Sequence, residues 1–225
     1  MCYNLRVKEP LLHEIDSFFA RFKSQNYKRG ETILRAGDPP LGCFFLKKGF
    51  VRVYSVSRNG EEFTSIIFKR GDIFPIIWAI NNAPNDYYCE AMTACVLARA
   101  PREEFIKFIK DNPEVNFDLT SRTLVRLAGL LRRMEYLVFG NADDKVASIL
   151  LICAERFGKQ DGDRVTIEVP LTHSDIASLV GLSRETASIE MKRLEDAGLV
   201  GHSGRLLQVL NLRRLKRRSL LDTGS

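Results

Sequence analysis

Arg184, Glu185, Ser188 and Lys192 place a forked guanidinium, a carboxylate, a hydroxyl and an ammonium in quick succession. Gathered on one helix face, such groups can donate in pairs to guanine, accept from the cytosine amino group and neutralise phosphate. A helix is what the neighbouring residues predict. Ala187, Met191 and Leu194 recur at i, i+4 and i+7, which makes one apolar stripe on the opposite side. Ser183 is a good N-cap for that helix, and Gly198 marks its end. A shorter helix precedes it, because Thr172 and Asp175 spell a capping box and Ile176, Ala177 and Val180 supply an apolar face. Gly181 between the two can take the left-handed backbone conformation that a tight turn requires. The pattern predicts a helix-turn-helix whose second helix enters the DNA major groove with its polar face toward the bases and phosphates. A charge run alone would equally describe a solvated helical hairpin. It is the coincidence of two caps, a tight turn and a polar start to the second helix that points to nucleic acid.

Other elements must hold this pair. Val165 to Val169 reads as a short strand. Leu199–His202 and Leu206–Leu210 read as a hairpin turned at Ser203-Gly204, so the region is a winged helix. Asn141 or Asp143 can cap a helix over Lys145 to Phe157. From Arg205 to Arg218 the chain carries Arg205, Arg213, Arg214, Lys216, Arg217 and Arg218 with no acidic residue. That run can line phosphates beside the groove or form a solvated basic tail.

Upstream, a helix is expected from about Glu114 to Phe139. Thr120, Leu124, Leu127, Leu131, Met134 and Val138 alternate there in the rhythm of a coiled-coil seam. Two chains paired along it would form a parallel dimer; the alternative is a stripe buried within its own chain. Leu130 and Leu137 widen the stripe, and Gly140-Asn141 is the natural hinge beyond it. The first half reads as β structure. Glycines at 30, 37, 49, 60 and 71 separate short runs of Phe, Ile, Val and Tyr, and Asn59-Gly60 is a hairpin signal. A short helix over Leu11 to Phe22 comes before the first strand.

Composition narrows the classes further. The 225 residues, 45 % of them hydrophobic, can bury one large core or two smaller ones. The net charge of +6 is compatible with a polyanionic partner, but the excess lies mostly before residue 140. The longest apolar run, Ile73 to Ile80, is too short to span a bilayer, and charges at Arg6, Lys8 and Glu9 interrupt any leader pattern. Cys2, Cys43, Cys89, Cys95 and Cys153 are scattered, with no metal spacing, as expected of reduced thiols in the cytoplasm. No histidine stands at metal spacing from a cysteine or carboxylate, and no nucleophile elbow or phosphate loop occurs. No enzyme activity is expected.

A β-rich first half, a long seam helix, a hinge and a C-terminal winged helix, in this order, resemble the CRP/FNR family of bacterial transcription regulators. The resemblance is strongest at Ser183-Arg184-Glu185-Thr186 followed by Leu194-Glu195-Asp196. The glycine-spaced stretch from Gly30 to Asp38, and Gly71-Asp72, are similar to the family's cyclic-nucleotide-binding roll. The resemblance implies an α+β chain in three parts. These are a β-roll (jelly-roll) sensor domain over 1–113, a dimerisation helix over 114–139 and a winged-helix DNA-binding domain over 140–225. It further implies Arg184 on a guanine, Glu185 on a cytosine amino group, and His173, Ser183 and Lys192 on phosphates. Ser188 belongs to the same face. Double-stranded DNA, a second copy of the chain and RNA polymerase are the implied partners. The position of a third base-reading arginine is occupied here by Ile189.

The same resemblance fails at the effector site. Where cyclic-AMP binders carry a glutamate for the ribose, the segment Phe74-Pro75-Ile76-Ile77-Trp78 offers an isoleucine. Their phosphate-holding Arg-Ser pair falls on Asn85 and Asp86, and an aspartate repels a phosphate. The adenine-contacting hydroxyls fall on Leu130 and Leu131. Cyclic nucleotide control is therefore not expected, and no cofactor is. Phe74, Ile76 and Trp78, facing Leu127 and Leu131, either form a pocket for a small apolar effector or simply fill the space. A competing class is a sensor module that regulates another protein without reading DNA; it has no need of Arg184 and Glu185.

Overall fold

A computed structural model describes residues 9–221. In chain order the elements are α1 (Glu9–Ala20), β1 (Ser24–Tyr27), β2 (Thr32–Leu34), β3 (Cys43–Lys48), β4 (Val51–Val56) and β5 (Glu62–Phe68). They continue with β6 (Ile73–Phe74), α2 (Ile76–Asn81), β7 (Tyr88–Ala91), β8 (Cys95–Ala100), α3 (Arg102–Asp111), α4 (Pro113–Phe139) and α5 (Ala142–Phe157). The last are β9 (Gly158–Asp161), β10 (Arg164–Ile167), α6 (His173–Val180), α7 (Arg184–Asp196), β11 (Val200–Ser203), β12 (Leu206–Val209) and α8 (Leu212–Arg218). No helix among the described residues is long and apolar enough to cross a membrane.

The chain forms two compact units, one of residues 9–57 and 64–124, the other of 58–63 and 125–221. The first is a β-roll of two four-stranded antiparallel sheets, in the orders β1-β8-β3-β6 and β2-β7-β4-β5. Successive side chains of a strand point to opposite faces, and that alternation builds two cores from one run of sequence. Phe44, Leu46 and Phe74 turn inward and meet Val51, Val53, Phe68, Cys89 and Ala91 of the other sheet. Cys43, Phe45 and Ile73 turn outward and meet Ile15, Phe18 and Phe19 of α1, Phe105 of α3, and Val115 and Leu119 of α4. Hence the near-continuous apolar stretch Cys43 to Leu46 is buried on both faces. Gly49 turns the chain from β3 into β4 with φ +96°, where a Cβ would lie 2.6 Å from the Ala94 carbonyl.

Phe19 stacks on Phe45 with centroids 5.1 Å apart, and Phe18 on Phe108 at 4.1 Å. Across the roll unit the N-terminal part of α4 is tied by Arg122, buried, which donates to the Gly71 carbonyl at 3.0 Å and pairs with Asp118 at 2.9 Å.

The second unit is organised around α5. Val146, Ile149, Leu150, Leu151, Cys153, Ala154 and Phe157 of that helix are all buried. Its N-cap is Asn141, which accepts from the Asp144 main chain at 3.0 Å while Asp144 caps in return. A four-stranded antiparallel sheet, β11-β12-β10-β9, forms the wing. Two elements depart from the sequence expectation. A strand, β9, extends the wing sheet from Gly158, and the basic stretch near the C-terminus is a helix, α8, capped by Asn211. Leu215 anchors α8, and Arg218 pairs with Asp143 at 2.7 Å, so this stretch is not simply a solvated tail. The division between units falls inside α4, at residue 124, whereas the sequence places boundaries at the helix ends.

Candidate nucleic-acid interface

The site is assembled by two capped helices. Thr172 accepts at Oγ1 from the Asp175 main-chain N–H at 3.2 Å, and the Asp175 carboxylate accepts from the Thr172 N–H at 2.8 Å, so α6 starts with a closed capping box. Gly181 leaves the helix with φ +64°, the left-handed conformation anticipated for it. Ser183 accepts from the Thr186 N–H at 3.1 Å and starts α7. Each cap satisfies main-chain donors that the first helical turn would otherwise leave open.

The buried side of α7 is formed by Ala187, Met191 and Leu194, with Glu190 beside them. Burial of Glu190 is tolerated because Arg193 donates to both its carboxylate oxygens, at 2.9 and 3.2 Å. The outward side carries Arg184, Glu185, Ile189 and Lys192, all exposed, with Ser188 half-buried at its edge. Among the described residues neither Arg184 nor Glu185 has a hydrogen-bond or ion-pair partner, so both are available to a ligand. The other polar groups are occupied. Ser188 Oγ lies 2.6 Å from His173 Nδ1, a bond that joins the second helix to the first. Lys192 pairs with Asp196 at 2.9 Å, and that carboxylate pushes the ammonium pKa up.

Thus the structure brings together all six residues assigned to the DNA face: His173, Ser183, Arg184, Glu185, Ser188 and Lys192. The four besides Arg184 and Glu185 are already held by neighbours. Sequence periodicity gives the face but cannot reveal the His173–Ser188 bond, which depends on the angle between the helices.

Arg133 is a residue that fastens α4 to α6, which sequence periodicity does not reveal. It lies in the seam helix, yet it is buried, donates to the Leu179 main-chain carbonyl and holds its guanidinium 4.9 Å over the Phe63 ring. Burial pulls its pKa down. Its position, off the seam stripe and between Arg132 and Met134, was the available signal.

The seam itself is an apolar strip in the single chain. Leu124, Leu127, Leu131, Met134 and Val138 are all exposed, and Phe117 continues the same spacing toward the N-terminus. A strip of this length on one helix is what a partner helix would cover.

The residues expected to line an effector pocket are separated in the roll. Phe74 points between the sheets, its ring stacked on Phe68 at 5.0 Å and Phe44 at 5.7 Å. Ile76 and Trp78 belong to α2 and pack against the cluster on the other face of the sheet, where Arg102 lies 5.9 Å over the Trp78 ring. The chain turns from β6 into α2 at Pro75, and that turn parts them. Leu127 and Leu131 are on the exposed seam. Asn85 is also committed: it is buried, and its amide donates to the Arg35 and Tyr87 carbonyls, both at 2.9 Å.

Family models match both halves of the chain. One for the cyclic nucleotide-binding domain covers residues 24–112, and one for the Crp-like helix-turn-helix domain covers residues 144–218. Among curated proteins the chain is 29 % identical over 166 residues to a global nitrogen regulator of Nostoc sp. (strain PCC 7120), covering 73 % of this chain and 74 % of that one. It is 26 % identical over 194 residues to a CRP-like cAMP-activated global transcriptional regulator of Mycobacterium tuberculosis, with 86 % and 87 % covered. Among solved structures it is similar to a CRP/FNR-family transcriptional regulator from Thermus thermophilus, with TM-score 0.69, 26 % identity and 87 % and 97 % covered. The first of these relatives is named as a global nitrogen regulator and the other two as transcriptional regulators.

Proposed function

The chain belongs to the CRP/FNR family of bacterial transcription regulators, and we propose that it acts as a homodimer that reads a near-palindromic DNA site without cyclic AMP. The observation that carries this reading is the first turn of α7. There Arg184 and Glu185 stand exposed and unengaged on a helix whose other side is locked into the core. In the proposed complex Arg184 donates its fork to guanine O6 and N7, and Glu185 accepts from a cytosine amino group. Ser183, His173 and Lys192 face phosphates, with Lys192 exchanging its Asp196 partner for the backbone. Ser188, held by His173, sets the angle between the helices more than it reads a base.

Dimerisation rests on the exposed seam from Leu124 to Val138. Pairing of the two α4 helices would relate the two recognition helices by a two-fold axis and place half-site centres about 34 Å apart. Independence from cyclic AMP is supported by what occupies the roll. Phe74 and its stacked neighbours fill the space between the sheets, and both Asn85 donors are spent on main-chain carbonyls. The protein would work in the cytoplasm, with RNA polymerase as its further partner.

Selection of randomised duplex DNA by the purified, ligand-free protein tests the proposal. Enrichment of two inverted half-sites one helical turn apart is expected. Enrichment of a single unpaired half-site, or of nothing until cyclic AMP is added, would overturn it.

A further inference from the structure

Ile189 sits in the middle of the reading face, outside the buried stripe of α7. It is 55 % exposed, and among the described residues it is the one large apolar side chain exposed on α6 or α7. At about 100° per residue it projects roughly 40° from Glu185 and one turn further along α7, well away from the buried stripe of Ala187, Met191 and Leu194. Single exposed apolar residues are ordinary on protein surfaces. The surroundings of this one are not. Its polar neighbours past the first turn are engaged: Ser188 with His173, Glu190 with Arg193, and Lys192 with Asp196. What the face leaves free for a ligand is therefore a guanidinium, a carboxylate and a branched hydrocarbon. The β-branched side chain also lowers helix propensity, and its χ1 is stiff, so it is presented in one orientation.

The major-groove edge of B-DNA carries one apolar group, the C5-methyl of thymine. We propose that Ile189 is a specificity-determining residue that selects thymine at one position of each half-site, by packing its side chain on that methyl. The inference rests on the DNA-reading role proposed above for α7. Arg184 and Glu185 would define a guanine and a cytosine amino group, and Ile189, one turn further on, a thymine next to them. The contact removes water from both apolar groups and needs no hydrogen bond. It discriminates thymine from cytosine, whose edge at that place lacks the methyl, and from purines, whose edge has no apolar group.

Deoxyuridine differs from thymidine only by the methyl, so it isolates this contact. Each thymine of the selected duplex would be replaced singly by deoxyuridine, and affinities measured for the wild type, Ile189→Ala and Ile189→Val. One thymine per half-site is expected at which deoxyuridine weakens wild-type binding roughly three- to tenfold, the size of one or two buried carbon groups. Ile189→Ala should bind the thymine and uracil duplexes alike, and Ile189→Val should keep part of the difference. Circular dichroism of Ile189→Ala serves as the folding control, and a substitution to alanine at an exposed helical position should leave it unchanged. No thymine sensitive to methyl loss, or one equally sensitive in wild type and Ile189→Ala, would overturn the inference while leaving the DNA-reading role intact. A protein that selects no site at all would overturn both.

Discussion

The guanidinium of Arg133, in α4, donates to the main-chain carbonyl of Leu179, near the end of α6. One buried side chain thus fastens the long helix to the first helix of the DNA-reading pair, while Phe63 covers its other side at 4.9 Å. Removing it leaves a buried carbonyl without this donor and a hole where the guanidinium packed. Arg133→Ala is expected to lower the stability of the folded chain by about 2–3 kcal/mol, the usual range for a lost buried bond to a charged donor. A shift of the urea midpoint measures it. Arg133→Met, which keeps much of the volume, should recover part of the loss.

Arg184 and Lys192 are predicted to fail differently. Arg184→Ala should erase preference at one base pair, by about 1–3 kcal/mol of discrimination, because a forked donor reads a base edge. Lys192→Ala should weaken all sequences by a similar factor and reduce the salt slope by about one. Competition assays over a range of salt separate the two. Indistinguishable profiles would count against the roles assigned to them.

Leu127 lies in the middle of the exposed seam. A charge at that position would be buried in a helix pair with no partner. Leu127→Lys should therefore sediment as a monomer at concentrations where the wild type is a dimer, and bind a single half-site as well as an inverted pair. A variant that stays dimeric would refute pairing along α4.

Burial pushes the thiols of Cys43, Cys89 and Cys153 up from about 9 to about 12. Between those values the unfolded chain has released protons that the folded chain retains, so stability falls as pH rises through this window. Below about pH 9 the three groups contribute nothing to the pH dependence. The urea midpoint should fall above pH 9, more shallowly in Cys153→Ala. The same thiols should react slowly with alkylating reagents until the chain is unfolded.

Much of the fold is legible in the sequence because its signals are local. The Thr172–Asp175 box, the Gly181 turn and the Ser183 cap each involve residues within one helical turn, and each is found where the spacing puts it. The glycine-punctuated strands of the roll are legible for the same reason. What periodicity does not carry is the direction in which a side chain leaves a short element. Phe74, Ile76 and Trp78 read as one apolar patch, but a two-residue strand and a turn at Pro75 send them to opposite faces of a sheet. Nor does it carry long-range bonds. Arg133 reads as a solvated charge on a seam helix until α6 is packed beside it, and Ser188 reads as a free hydroxyl until His173 meets it. The α8 helix was hidden by its charge, although Asn211 with Leu212 and Leu215 held the cap and the apolar spacing.

The proposed protein is a dimer that reads a specific DNA sequence and needs no cyclic nucleotide. The most direct test is the affinity of the purified protein for its selected duplex against a scrambled duplex, at one salt concentration, with and without cyclic AMP. A preference of at least about a thousandfold is expected, unchanged by the nucleotide. A preference near unity, or one that arises only when cyclic AMP is present, would contradict it.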